Sequence, residues 1–144
     1  MFRLGMQGEP KAPRLQGRVY VVDDDDEVRE SLALLLESLG HDCRTYDSGK
    51  GLLADLLTLE PGCIFLDFRM GGLTGLQVLS ELRYMELDWP VVVMTGHGDI
   101  SVGAKAMALG AIAFLEKPFG ENELSGVLDQ AFHALAAGKP TPIG

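Results

Sequence analysis

The chain has 144 residues, of which 47% are hydrophobic, so it is long enough for one compact domain with a buried core. Its 21 acidic and 12 basic residues give a formal net charge of -9. This charge argues against direct binding of nucleic acid by the domain, because phosphate contacts need Lys and Arg. The two cysteines show neither metal-ligand nor disulfide spacing, and we see no membrane-spanning run and no signal peptide. We therefore expect a reduced, cytoplasmic protein.

Gly and Pro interrupt both ends of the chain. Residues 1–17 mix them with charged residues and show no periodicity, so we expect a flexible leader there. Residues 138–144 have the same character, which is typical of a linker or of an artificial chain end. The folded domain is expected to span residues 18–137.

Short apolar runs alternate with segments of helical periodicity between these ends. In chain order, the predicted strands cover residues 18–22, 42–46, 63–66, 91–94 and 111–115. The predicted helices, one after each strand, cover residues 26–40, 49–60, 74–85, 99–110 and 121–137. Five strand–helix units predict an α/β fold, with a doubly wound, five-stranded parallel sheet covered by helices on both faces.

Chemically reactive side chains follow four of the five predicted strands. Four aspartates, residues 23–26, follow the first strand, and Asp67 follows the third. Thr95 follows the fourth strand and Lys117 the fifth. Because ligands of such sheets bind beyond the carboxyl ends of the strands, we expect these carboxylates, the hydroxyl and the ammonium to meet at one edge of the sheet.

Each of these residues also has an ordinary structural interpretation. An acidic run at the start of a helix caps the helix and complements its dipole. Thr95 could cap the helix that starts near Asp99, and Lys117 could be an exposed loop lysine. Asp67 is harder to explain in this way, because it follows a strand expected to be buried and an unpaired buried carboxylate is costly. Four coincidences at one edge are a poor explanation, so we favour a shared site.

The combination suits phosphoryl transfer onto a carboxylate. Asp67 could act as the nucleophile and form an aspartyl-phosphate. A hard cation such as Mg²⁺ would take oxygen ligands from the first strand and from Asp67. Lys117 would pair with one phosphate oxygen, Thr95 would donate a hydrogen bond to another, and the small Gly96 would leave room for the phosphodonor.

The sequence resembles the receiver domains of response regulators in two-component signalling, over about residues 18–137. The motifs VVDDD, FLDFRM, VVMTGHGD and EKPF carry the resemblance, and TGHGD with EKPF resembles the FixJ-like branch. The resemblance implies a flavodoxin-like (βα)5 fold with strand order 2-1-3-4-5. It also implies a bacterial, cytoplasmic phosphoprotein that acts as a signalling switch rather than an enzyme, although it promotes its own phosphorylation and dephosphorylation.

The same resemblance implies roles at the phosphorylation site. Asp67 matches the phosphoacceptor and Lys117 the phosphate-binding lysine. Asp24 would bind the metal directly, and Asp23 would act mainly through water or Lys117. The full ligand set implied for Mg²⁺, or for Mn²⁺ in its place, is Asp23, Asp24, Asp67 and the backbone carbonyl of Arg69. The last two residues of the acidic run keep their ordinary role as a helix start.

The switch and its surroundings follow from the resemblance as well. Thr95 matches the switch hydroxyl, Phe114 the aromatic that rotates with it, and the Lys117–Pro118 peptide bond would be cis. Gly71 departs from the family, which commonly has proline there, so the loop would be floppier, with altered partner contacts or phosphate lifetime. We also hypothesise that Arg69 and His97, which flank the expected phosphate, control the access of water to it.

The implied partners are a sensor histidine kinase and, after phosphorylation, a second copy of the chain. The FixJ-like branch commonly joins its receiver to a C-terminal helix-turn-helix domain, which implies control of transcription. Among the alternatives, an aspartyl-phosphate phosphatase commonly has a second Asp where this chain has Arg69. A nucleotide- or flavin-binding domain needs a Gly-rich loop after the first strand, where this chain has aspartates. A stand-alone or degenerate receiver that acts only through protein contacts stays open.

Overall fold

The computed structural model describes residues 17–96 and 99–137. Most of the expected leader, the expected linker and His97 lie outside these ranges. No helix within them is long and apolar enough to cross a membrane.

Strands and helices alternate along the described chain. The strands are β1 (Arg18–Val22), β2 (Asp42–Tyr46), β3 (Gly62–Asp67), β4 (Val91–Thr95) and β5 (Ala113–Glu116). The helices are α1 (Asp26–Ser38), α2 (Gly49–Asp55), α3 (Gly75–Tyr84), α4 (Ile100–Ala108) and α5 (Glu121–Ala136). Each helix follows the strand with the same number, as predicted.

The strands form one parallel sheet with the order β2-β1-β3-β4-β5. The predicted fold class and strand order are thereby confirmed. The order reverses between β1 and β3, and a crevice at such a reversal is where sheets of this type bind ligands. Val22 at the end of β1 pairs with Leu66, and Asp67 pairs with Met94 of β4, so the last residues of these strands share one edge.

Helices cover both faces of the sheet. All residues of β3 and β4 are buried, which explains why these strands are continuous apolar runs. Alternate side chains point to opposite faces. Leu66 and Val93 join the core under α2, α3 and α4, whereas Phe65 and Met94 join the core under α1 and α5.

Side-chain caps fix the starts of the first two helices. The carboxylate of Asp25 accepts a hydrogen bond from the N–H of Val28 at 3.1 Å, and the hydroxyl of Ser48 accepts one from Gly51 at 3.0 Å. Gly40 adopts a left-handed φ of 94° just beyond α1, the conformation expected of a residue that ends a helix.

Several element boundaries differ from the predictions by one or more residues, and two of these differences arise because local hydrogen bonds compete. Helix α2 gives way to a 3-10 turn at Leu56–Thr58, where the hydroxyl of Thr58 donates to the carbonyl of Asp55 at 2.7 Å. Strand β5 begins two residues later than predicted, because the N–H of Ala111 is used by the carbonyl of Ala106 at the end of α4.

Candidate functional site

Three carboxylates meet at the carboxyl edge of β1 and β3. One oxygen of each lies within 4.8 Å of the others, and the three residues are Asp23, Asp24 and Asp67. Asp23 and Asp67 are buried, whereas Asp24 is exposed. The ligands of an octahedral Mg²⁺ lie about 2.0–2.1 Å from the ion, and therefore up to about 4.2 Å from one another. Small side-chain movements would thus let this carboxylate cluster hold a hard divalent cation, for which oxygen ligands are suited.

Local contacts fix Asp23 at the end of β1. Its Oδ1 atom accepts a hydrogen bond from the N–H of Asp25 at 3.0 Å. Its backbone carbonyl accepts another from Arg29 of α1 at 2.8 Å. Residue spacing does not predict this contact of Arg29, because it depends on the turn that brings α1 back over the strand end.

Lys117 reaches the carboxylate cluster from the loop after β5. Its Nζ atom lies 2.8 Å from Asp23 Oδ2 and 2.8 Å from Asp67 Oδ1. Its backbone N–H donates to the carbonyl of Thr95 at 2.7 Å, which holds the lysine beside β4. The Lys117–Pro118 peptide bond is cis, as the resemblance implied. The ammonium group therefore bridges two carboxylates and offsets part of their repulsion.

The carboxylate cluster still carries more negative charge than its surroundings favour. Burial is the largest influence on Asp67 and, with the charges of Asp23 and Asp24, raises its pKa to about 6, although Lys117 opposes the shift. Burial lowers the pKa of Lys117, but its bonds to the two buried carboxylates outweigh burial and raise it overall. A bound cation would relieve this excess of negative charge.

Thr95 and Arg69 lie beside the cluster, and both bind Asp99. Thr95, which is 1% exposed, donates its hydroxyl to Asp99 Oδ2 at 3.1 Å. Arg69 Nη2 lies 3.2 Å from the same oxygen. The sequence predicts only a helix start at Asp99, because nothing in the spacing shows that the loop turns its carboxylate towards these two donors.

Gly71 makes a contact that the residue usual at its position could not make. Its backbone N–H donates to Asp24 Oδ2 at 3.1 Å. Proline has no N–H, so this hydrogen bond requires a residue other than proline. The expectation of a looser loop therefore misses a direct link between the loop and the carboxylate cluster.

Two glycines allow close packing around the site. A Cβ atom on Gly75 would lie 2.6 Å from the backbone carbonyl oxygen of Asp67, so α3 starts in direct contact with the end of β3. A Cβ atom on Gly103 of α4 would lie 2.8 Å from carbon atoms of the Phe114 ring. The partly exposed ring of Phe114 thus packs against α4.

Residues 19–129 match the response regulator receiver domain family, and the chain belongs to this family. Receiver domains are signalling switches rather than classical enzymes, so the family match favours a switch over the phosphatase and nucleotide-binding alternatives.

Similar proteins place the chain in the FixJ-like branch. The transcriptional regulatory protein FixJ of Bradyrhizobium diazoefficiens is 40% identical over 116 residues, which cover 81% of this chain and 57% of that protein. FixJ of Azorhizobium caulinodans is 50% identical over 103 residues, covering 72% of this chain and 49% of that protein. The chain therefore spans about half the length of these curated relatives. The crystal structure of FixJ-N matches with a TM-score of 0.77 and 33% identity, over 81% of this chain and 93% of that one.

Proposed function

We propose that this chain accepts a phosphoryl group from a sensor histidine kinase on Asp67, with Mg²⁺ bound, and then changes conformation to control an output. The arrangement that carries the proposal is the bridge from Lys117 to Asp23 and Asp67, at 2.8 Å each, within a cluster of three carboxylates. It combines a nucleophile, a cation site and a phosphate-binding ammonium at one edge of the sheet.

In the proposed step, a carboxylate oxygen of Asp67 attacks the phosphorus of the donor. The new O–P bond forms as the bond from phosphorus to the nitrogen or oxygen of the donor breaks, and the leaving group keeps the electron pair. Bound Mg²⁺, or Mn²⁺ in its place, would neutralise charge on the phosphoryl oxygens. The residues that would hold the ion are Asp23, Asp24, Asp67 and Arg69, the last through its backbone carbonyl.

Two side chains would bind the transferred group. Lys117 exchanges its contact with Asp67 for a phosphoryl oxygen and keeps its contact with Asp23. Thr95 donates its hydroxyl to a second phosphoryl oxygen. Both residues are tied to the end of β4, since the N–H of Lys117 donates to the carbonyl of Thr95.

Movement of Thr95 would leave space that Phe114 fills by turning inward. The surface formed by α4, β5 and α5 would then change shape, as a shift in population between two packings of the same core. The proposed result is homodimerisation in the cytoplasm and, through a C-terminal DNA-binding domain, control of transcription. The FixJ relatives are transcriptional regulatory proteins about twice as long as the aligned region, which supports this output.

The lifetime of the phosphate would depend on groups that control water. Arg69 lies two residues after Asp67, and its side chain is 71% exposed and paired with Asp99. It would have to leave Asp99 to reach a phosphoryl group. Together with His97, which lies outside the described residues, it is proposed to modulate dephosphorylation. Substitution of either residue should change the decay rate of the phosphorylated protein, and an unchanged rate would refute this role.

The test is incubation with acetyl phosphate and Mg²⁺, followed by intact mass measurement and gel filtration. We expect a phosphoryl adduct on the wild type and none on Asp67→Asn. The control Asp129→Asn removes the same charge from the exposed face of α5 and should keep the adduct. An unmodified wild type would favour a degenerate receiver that acts only through protein contacts. An adduct without a shift in elution would overturn the proposed dimerisation alone.

A further inference from the structure

Asp99 binds two side chains beside the carboxylate cluster that are themselves suited to bind an anion, Thr95 and Arg69. Its Oδ2 atom accepts the hydroxyl of Thr95 at 3.1 Å and lies 3.2 Å from Arg69 Nη2. Arg69 Nε and Nη2 also donate to this carboxylate at 3.3 and 3.4 Å. A hydroxyl and a guanidinium that converge on one carboxylate form the same kind of donor set that holds a phosphoryl group.

The usual role of an aspartate at this position does not account for these contacts. Asp99 is the N-cap residue of α4, yet its side chain makes no capping hydrogen bond. An N-cap aspartate ordinarily accepts a first-turn N–H and stabilises its helix by about 0.5–2 kcal/mol. Asp99 instead directs its carboxylate away from the helix, towards Thr95 and Arg69, and its side chain is only 22% exposed.

We propose that Asp99 competes with the phosphoryl group for Thr95 and Arg69, and that it holds both side chains while Asp67 is unphosphorylated. The inference rests on the proposed function. The hydroxyl of Thr95 has one proton and cannot donate to Asp99 and to a phosphoryl oxygen at the same time. Each phosphorylation must therefore break the bond to Asp99, so this bond favours the unphosphorylated packing.

Release of Asp99 would also connect the site to the output surface. Once Thr95 has left, the Asp99 carboxylate lies at the N-cap position of α4 with its acceptors available to the first-turn N–H groups. Helix α4 is one of the elements of the proposed dimer surface and contacts the Phe114 ring through Gly103. Asp99 is thus a positioning residue that acts through Thr95 and α4.

The test measures the affinity for beryllofluoride, a mimic of the phosphoryl group, by fluorine NMR in the presence of Mg²⁺. Asp99→Asn keeps the size and capping ability of the side chain but loses the charge that strengthens its bonds. We expect it to bind beryllofluoride roughly five-fold more tightly than the wild type. Asp99→Ser, another good N-cap residue, should show the same gain if the asparagine variant does not fold.

Loss of a nearby negative charge would by itself favour an anion, so the Thr95→Ala background separates the two effects. If Asp99 acts by holding the hydroxyl, the gain from Asp99→Asn should shrink by at least half in Thr95→Ala. A gain of equal size in both backgrounds would overturn the inference, as would no gain in Asp99→Asn. A wild type that binds no beryllofluoride would instead overturn the proposed function, so the two failures are distinguishable.

Discussion

Replacement of Asp67 by asparagine should stabilise the cation-free protein against unfolding at pH 8. Burial, with the neighbouring carboxylates, raises the pKa of Asp67 from 3.8 to about 6 although its side chain contacts Lys117. The folded state therefore favours the neutral carboxyl, which asparagine resembles in shape and charge. Each pKa unit corresponds to about 1.36 kcal/mol, so the ionised carboxylate lowers the free energy of unfolding by about 1–3 kcal/mol.

The pH dependence follows from the direction of this shift. Below pH 3.8 the carboxyl is neutral in both states and costs nothing, and above about pH 6 it is ionised in both states and the full cost is present. Asp67→Asn should therefore melt several degrees above the wild type at pH 8, at about 3–5 °C per kcal/mol for a domain of this size. This difference should decrease as the pH falls through 6 towards 4.

The assay is thermal unfolding followed by circular dichroism, with a chelator present. The control Asp129→Asn should melt like the wild type at pH 8 and at pH 4, since it removes only an exposed charge. Mg²⁺ at ten times its dissociation constant should stabilise the wild type by about 1.4 kcal/mol and the Asp67→Asn variant much less. A variant that is less stable than the wild type at pH 8, or a difference independent of pH, would refute the reasoning.

Three further substitutions probe other parts of the structure. Gly71→Pro removes the N–H that binds Asp24 and should weaken Mg²⁺ binding about three- to ten-fold in melting titrations. The control Gly71→Ala keeps the N–H and should bind Mg²⁺ like the wild type. Equal Mg²⁺ affinities of the proline and alanine variants would contradict this. Gly103→Ala would place a methyl group against the Phe114 ring and should drive the ring inward. The dimer fraction of the unphosphorylated protein should then rise in gel filtration. An unchanged monomer peak would argue against a coupling between the ring and the dimer surface. Arg83→Met should lower stability in urea by about 2–4 kcal/mol, because the guanidinium donates to three backbone carbonyls, and a loss below about 1 kcal/mol would show that these bonds matter little.

The sequence was most informative where one physical signal dominates. Strands β1 and β2 have the predicted bounds because apolar or alternating runs there are followed directly by polar turns. The alternation of strands and helices then predicted the parallel sheet, and the sheet predicted that Asp23, Asp67, Thr95 and Lys117 would lie at one edge. The structure places all four there, although their catalytic and switching roles stay proposals.

Contacts that depend on loop conformation could not be predicted. The bond from Gly71 to Asp24 involves a backbone N–H, which leaves no pattern in the side chains. The approach of Asp99 to Thr95 and Arg69 depends on a carboxylate that does not cap its own helix. Residue spacing locates strand ends, but it does not determine which way a loop side chain turns.

The most direct test of the central claim is to locate the phosphoryl group after reaction with acetyl phosphate and Mg²⁺. Borohydride reduction converts a phosphorylated aspartate into homoserine, which peptide mass spectrometry can assign to a position. We expect the modification at Asp67, dependent on Mg²⁺ and absent when the ion is chelated. Modification at any other residue, or none in a folded wild-type protein with Mg²⁺ present, would contradict the account.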